Sequence, residues 1–252
     1  MPTSNTKNRF LKLGLVVAAL VAGVYLITGT GVYLISGIRT ALVASRLFNL
    51  RPGDTQSIPY ALDSLQSDSP LIRRAAARGL GYIGPEAKAA IPALLVALKR
   101  DCWEVASEAA ASLGSIKSPE PQVIDGLTAA LKHKHGEVRR YAAYSLSQYG
   151  QSSRSAVPEL MNRLSDPQMG YMAARALGEI GLKADGVVAG LTELLSSAHP
   201  GQRAEAAVSL SKLLPLPQET IAKIEKLTGD DEKMVRDAAS KSLQSIRNFS
   251  QR

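Results

Sequence analysis

The sequence predicts an all-α protein, a right-handed α-solenoid of stacked helix pairs preceded by one transmembrane helix. Three observations lead there. Aromatic residues are only 5% of the chain while alanine is abundant, which favours closely approaching helices over an aromatic-rich β core. A run of 26 uncharged residues, Leu13 to Ile38, stands near the start. Beyond it, two leucine series recur at intervals close to 33 residues.

The first element follows a basic tail, residues 1–12, that carries Lys7, Arg9 and Lys12. As a helix rising ~1.5 Å per residue, residues 13–38 reach roughly 39 Å, enough to cross a hydrocarbon core of about 30 Å with some tilt. Residues 23–37, GVYLITGTGVYLISG, invite two other readings. A dinucleotide loop needs a third glycine, but Gly29-Thr30-Gly31 is followed by Val32, Tyr33 and Leu34. A hairpin through TGTG would have no sheet to join and unpaired edges. A cleaved signal peptide ending near Val21-Ala22-Gly23 is the rival, and the continuing apolar run favours a retained anchor. Lys7, Arg9 and Lys12 on one side nearly balance Arg39, Arg46 and Arg51 on the other. The reading adopted is a single-pass membrane protein with its amino terminus inside and the solenoid on the non-cytoplasmic side.

The next elements are the rungs. Leu80, Leu113, Leu146, Leu177, Leu210 and Leu243 are each preceded at four residues by alanine: Ala76, Ala109, Ala142, Ala173, Ala206 and Ala239. A second alanine stands at three residues before in all but the last, where Ser240 stands. These positions share one helical face, so each segment is a helix, A, with a stripe small enough for a neighbour's backbone to come near. A second series, Leu65, Leu98, Leu131, Leu164, Leu195 and Leu227, lies in segments with apolar residues at helical spacing, the B helices. Pro59, Pro92 and Pro158 fall in first turns of B helices, where a missing N–H costs little. Gly84, Gly150 and Gly181 follow A helices, where a left-handed cap is wanted. One helix pair cannot bury its stripe, so stacked pairs share a continuous core.

The stretch DSPLIRRAAARGLGYIGPEAKAAIPALLVAL carries Asp-x-x-x-x-Arg, Ala-Ala, Leu-Gly-x-Ile-Gly and Ile-Pro-x-Leu. This pattern, extending over Ile58 to Ile246, resembles HEAT repeats, especially the short subtype associated with phycobilisome lyases. The resemblance implies a HEAT/armadillo-like architecture and says almost nothing of activity. Carrying the ladder backward, Leu47 lies 33 residues before Leu80 and 18 before Leu65, so SGIRTALVASRLFNL forms a degenerate first A helix joined to the membrane helix with almost no linker. The solenoid is placed at residues 39–248, with a short tail at 249–252. Its last A helix turns Val235, Ala238, Ala239 and Leu243 inward and keeps Asp231, Glu232, Lys233, Lys241 and Arg247 wet.

The net charge of +8 invites a nucleic-acid reading, but residues 1–53 hold six basic and no acidic residues. The remainder, with 24 basic and 22 acidic residues, offers little to a phosphate backbone, so no nucleic-acid partner is expected. Cys102 is the only cysteine, which excludes an intrachain disulfide and a multi-cysteine metal site. His133-Lys134-His135-Gly136-Glu137 reads as a solvated loop, since histidines at i, i+2 do not face one way on a helix. His199-Pro200 reads likewise. Some HEAT-like proteins are iron hydroxylases with His-Glu motifs, and the chain has no His-Glu dipeptide. No catalytic, cofactor or metal residues are assigned and no small-molecule substrate is expected. The alternative class implied by the resemblance is an enzyme or enzyme subunit of bilin-lyase type, with Cys102 as a chromophore handle.

Arg73, Arg139, Arg203 and Arg236 recur at one A-helix position, with Asp68 and Asp230 five or six residues earlier. The set reads as a structural ladder that caps helices and links rungs, against an arginine array for anionic partners. Trp103, Arg139, Arg140, Tyr141 and Tyr144 are the candidate partner-binding residues, being of the types enriched in binding hot spots. The functional expectation is a membrane-anchored scaffold, without catalysis, that presents B helices and inter-repeat loops to protein partners.

Overall fold

The computed structural model describes residues 31–251, and among them every helix falls on a rung read from the leucine ladder. Odd-numbered helices form layer A: α1 Gly31–Phe48, α3 Pro70–Ile83, α5 Trp103–Ile116, α7 Gly136–Tyr149, α9 Gly170–Ile180, α11 Pro200–Leu210 and α13 Lys233–Ser250. Even-numbered helices form layer B: α2 Ile58–Ser64, α4 Ile91–Arg100, α6 Pro121–Ala130, α8 Val157–Asn162, α10 Asp185–Leu194 and α12 Gln218–Lys226. Pro59, Pro92 and Pro158 stand in the first turns of α2, α4 and α8. Gly84, Gly150 and Gly181 follow α3, α7 and α9 with positive φ. After α5 the same place is held by Lys117 at φ 55°, a conformation that costs an L-residue what it does not cost glycine.

The alanine–leucine stripe of each A helix is buried, and one apolar core runs from Ala44 and Leu47 to Ile246. Close approach of the A helices rests on a glycine in one helix facing a serine in the next. A Cβ placed on Gly81, Gly114 or Gly178 would stand 2.4, 2.4 or 2.7 Å from the hydroxyl of Ser112, Ser145 or Ser209. Two of these serines also tie the rungs together, Ser112 Oγ donating to the Ala77 carbonyl at 2.8 Å and Ser145 Oγ to that of Ala110 at 2.7 Å. Layer B is looser. Clefts of about 290, 420 and 600 Å³ open beside α4, between α4 and α6, and between α10 and α12.

At the amino-terminal end α1 is the first rung, with Leu47 and Ala44 buried against the stack. It runs without a break through Ser36 and Gly37, so no linker separates residues 31–38 from the rung. The basic tail and residues 13–30 of the expected membrane span lie outside the described residues, as does Arg252. Among the described residues no helix is long and apolar enough to cross a membrane, α1 carrying Arg39 and Arg46 within its length. At the other end α13 continues to Ser250, two residues beyond the expected limit of the solenoid, with Val235, Ala238, Ala239 and Leu243 buried.

Candidate partner-binding face

The arginine ladder is built between rungs. Arg73 Nε and Nη2 donate to the two carboxylate oxygens of Asp101, both at 2.7 Å, while Nη1 reaches back to the carbonyls of Ser67 and Asp68. Arg203 repeats the pattern with Asp230 at 2.8 Å and with the Ser197 and Ala198 carbonyls. Arg139 donates to Asp166 at 2.9 Å, to the His133 and Lys134 carbonyls, and to Gln168. Arg236, on the last helix, keeps only the backward half, to the carbonyls of Asp230 and Asp231. The carboxylates also accept backbone N–H groups ahead of the next A helix, Asp101 from Cys102, Asp166 from Gln168 and Met169, and Asp230 from Glu232.

The ladder expected to cap helices and link rungs is built as follows. Each arginine uses main-chain carbonyls of its own loop and a carboxylate one rung further on. Asp68 enters through its carbonyl, and Asp101 and Asp166 are ladder members that the sequence reading missed. A signal for them existed. Where the A helix has Ala106 or Gly170 in place of arginine, the loops at 131–135 and 195–199 contain no acidic residue. At the second gap Gln202 occupies the space beside Gly170 and donates to the Asp166 carbonyl at 3.0 Å.

The five candidate partner-binding residues all lie on A helices, not on the B helices expected to form the binding surface. Arg139 is absorbed by the ladder. Trp103, the first residue of α5 and 39% exposed, stacks on His135 with ring centroids 3.9 Å apart and planes 9° from parallel. His133 Nδ1 accepts the His135 N–H at 3.0 Å, so the fold engages both histidines of the loop read as solvated. Burial, the largest influence on the His133 imidazole, holds it below its ordinary range, against that hydrogen bond. Arg140 bonds Glu137 on its own helix and lies 5.0 Å from the Tyr141 ring. The neighbouring Tyr171 hydroxyl, and after it Glu137, raise the Arg140 pKa against the opposing effect of burial.

Tyr141 and Tyr144 belong to a longer tract along the outer surface of layer A. At its start the Arg78 guanidinium lies between Phe48 and Tyr82, 5.6 and 5.3 Å from their rings, and donates to the Tyr82 hydroxyl at 2.9 Å. A cleft of about 350 Å³ follows, lined by Arg74, Arg78, Tyr82, Glu108 and Tyr141 among others. The next step sets Arg175 of α9 over the Tyr144 ring at 6.0 Å. At the far end charges of both signs meet: Glu179 pairs with Lys212 at 2.8 Å, and Glu205 stands near both Arg175 and Lys212. Burial lifts the Glu205 carboxyl above its ordinary range despite those two cations. The sequence reading missed Phe48, Arg78, Tyr82 and Arg175, whose shared signal is their place on the exposed side of successive A helices.

The sequence signature of HEAT repeats matches residues 58–147 and 124–212. The chain belongs to the HEAT-repeat family. Among curated proteins none matches the sequence. The fold is similar to that of the complex of CpcE and CpcF of phycocyanin lyase from Nostoc sp. PCC7120, with 23% identity, a TM-score of 0.59, and 75% of this chain and 76% of that chain covered. An engineered protein aligns at 25% identity and a TM-score of 0.60 over 76% of this HEAT chain and 98% of its own. A designed armadillo repeat protein in complex with peptide (KR)4 aligns at 20% identity and a TM-score of 0.57, covering 75% and 99%. These likenesses establish a HEAT/armadillo-like repeat scaffold.

Proposed function

We propose that this HEAT protein is a membrane-anchored scaffold, without catalysis of its own, that binds a protein partner along the exposed side of layer A. The observation that carries the reading is the tract from Phe48 and Arg78 through Tyr82, Tyr141 and Tyr144 to Arg175, five residues of hot-spot type and one phenylalanine drawn from helices far apart in sequence. A peptide-like occupant is supported by the designed armadillo repeat protein of similar fold, which is in complex with peptide (KR)4. Anchoring is supported by the uncharged run from Leu13 to Ile38 and by its final residues sharing a helix with the first rung. The mount is rigid, and the solenoid is placed on the non-cytoplasmic side.

The competing reading is a subunit of bilin-lyase type, favoured by the fold shared with phycocyanin lyase. Against Cys102 as its reactive group, burial raises the thiol pKa, which lowers the thiolate fraction. Affinity purification from native membranes separates the two. A defined partner should be recovered with the natural chain and with Val96→Ala on layer B, and at least tenfold less with Tyr82→Ala/Tyr144→Ala. Equal recovery with all three chains contradicts the assigned face. A bound pigment, or pigment transfer to an acceptor, contradicts the scaffold reading.

A further inference from the structure

The cleft of about 350 Å³ where α3, α5 and α7 meet is rich in hydrogen-bond donors and poor in acceptors. Arg74, Arg78 and Tyr82 follow one another at intervals of four residues on α3, so all three stand on one face of the helix. Two cations at that spacing disfavour a helix unless something answers them. Glu108 of α5 answers Arg74, accepting from its Nε at 3.2 Å. It is also the carboxylate that acts on Arg78 through space, yet Arg78 forms no ion pair of its own among the described residues. Two guanidiniums against one carboxylate leave the cleft with one positive charge.

The neutral groups lean the same way. Ser112 and Ser115 spend their hydroxyl protons on the Ala77 and Ala111 carbonyls, at 2.8 and 3.2 Å. Tyr82 accepts from Arg78 at 2.9 Å, which leaves its own proton to donate. Phe48 and Tyr82 flank the Arg78 guanidinium at 5.6 and 5.3 Å and hold it in place, while its other N–H groups keep no protein acceptor among the described residues. A group that fits this setting brings acceptors and a single negative charge, which describes a carboxylate. A phosphate monoester, closer to a dianion at neutral pH, exceeds that charge and meets Glu108.

We propose that this cleft takes an acidic side chain, aspartate or glutamate, of the protein partner, with Arg78 and the Tyr82 hydroxyl donating to its carboxylate beside Tyr141. The proposal rests on the reading of layer A as the binding face, and it adds the charge of the segment bound there. An arginine already held between two rings loses little freedom when it grips a carboxylate through two N–H groups. A basic segment would instead bring like charges together in the cleft.

The full chain in detergent is titrated against end-blocked peptides of alternating Glu-Ala, Gln-Ala or Lys-Ala carrying an uncharged dye, with fluorescence anisotropy as the readout. Carboxylate capture predicts that the Glu-Ala peptide binds about tenfold tighter than the Gln-Ala peptide, and the Lys-Ala peptide more weakly than either. Arg78→Gln should remove most of that preference and Arg78→Lys should keep only part of it. Lys99→Gln on α4 of layer B, an equal loss of charge, should leave it intact. Equal binding of the Glu-Ala and Gln-Ala peptides, binding of neither, or equal effects of Arg78→Gln and Lys99→Gln overturns the proposal. Affinity purification separates this failure from that of the binding face. Partner recovery that falls with Tyr82→Ala/Tyr144→Ala but not with Arg78→Gln overturns the acidic occupant and leaves layer A as the binding face. Recovery unchanged by either substitution overturns the face and the occupant together.

Discussion

Arg139 was read from the sequence both as a binding residue and as a ladder residue, and its surroundings decide for the ladder. Its guanidinium meets Asp166, two loop carbonyls and Gln168, and 15% of the side chain is exposed. Arg139→Ala leaves a half-buried carboxylate and two carbonyls short of donors, and is expected to cost about 2–3 kcal/mol in denaturant unfolding at neutral pH. Arg139→Lys recovers little of this, because one ammonium cannot reach forward and backward together. The pH dependence has a definite sign. Burial works to raise the Asp166 carboxyl, but Arg139 and the Gln168 N–H prevail and its pKa is lowered. A carboxyl depressed in the fold contributes fully above the unfolded value of about 3.9 and loses that contribution as pH falls through its folded value. The gap between the natural chain and Arg139→Ala should therefore narrow between pH 5 and pH 2. A gap independent of pH contradicts the pairing.

At the scale of elements, helix spacing in layer A depends on residues too small to keep helices apart. Gly114→Ala puts a methyl carbon 2.4 Å from the Ser145 hydroxyl and 3.0 Å from its Cα, so the rungs must separate. A loss of about 1–3 kcal/mol is expected in thermal unfolding. Gly201→Ala in α11 has nothing within 4 Å and should be neutral or stabilising. Equal effects at the two sites contradict close approach as the organising contact. Both layers were legible in the sequence because alanine, leucine and proline report on local helix chemistry, and Leu47 extended the ladder to α1. The partners of Gly81, Gly114 and Gly178 were not, since Ser112, Ser145 and Ser209 are fixed by register between rungs. The same reason hid Asp101 and Asp166, which answer arginines one rung earlier.

For the whole molecule, the sequence reading assigned the presenting surface to B helices and loops, whereas the exposed arginines and aromatics gather on layer A. Tyr141 and Tyr144 were legible as a local cluster. Phe48, Arg78, Tyr82 and Arg175 join them only when α1, α3, α7 and α9 are stacked. Val96, 56% exposed on α4, provides a comparison site on the opposite layer. The most direct measurement is photo-crosslinking in native membranes from single positions, 82 and 144 on layer A and 96 on layer B. The account predicts that one protein partner is captured from both 82 and 144, and that position 96 captures it at no more than a tenth of that yield. Capture of the partner from position 96 alone would contradict it.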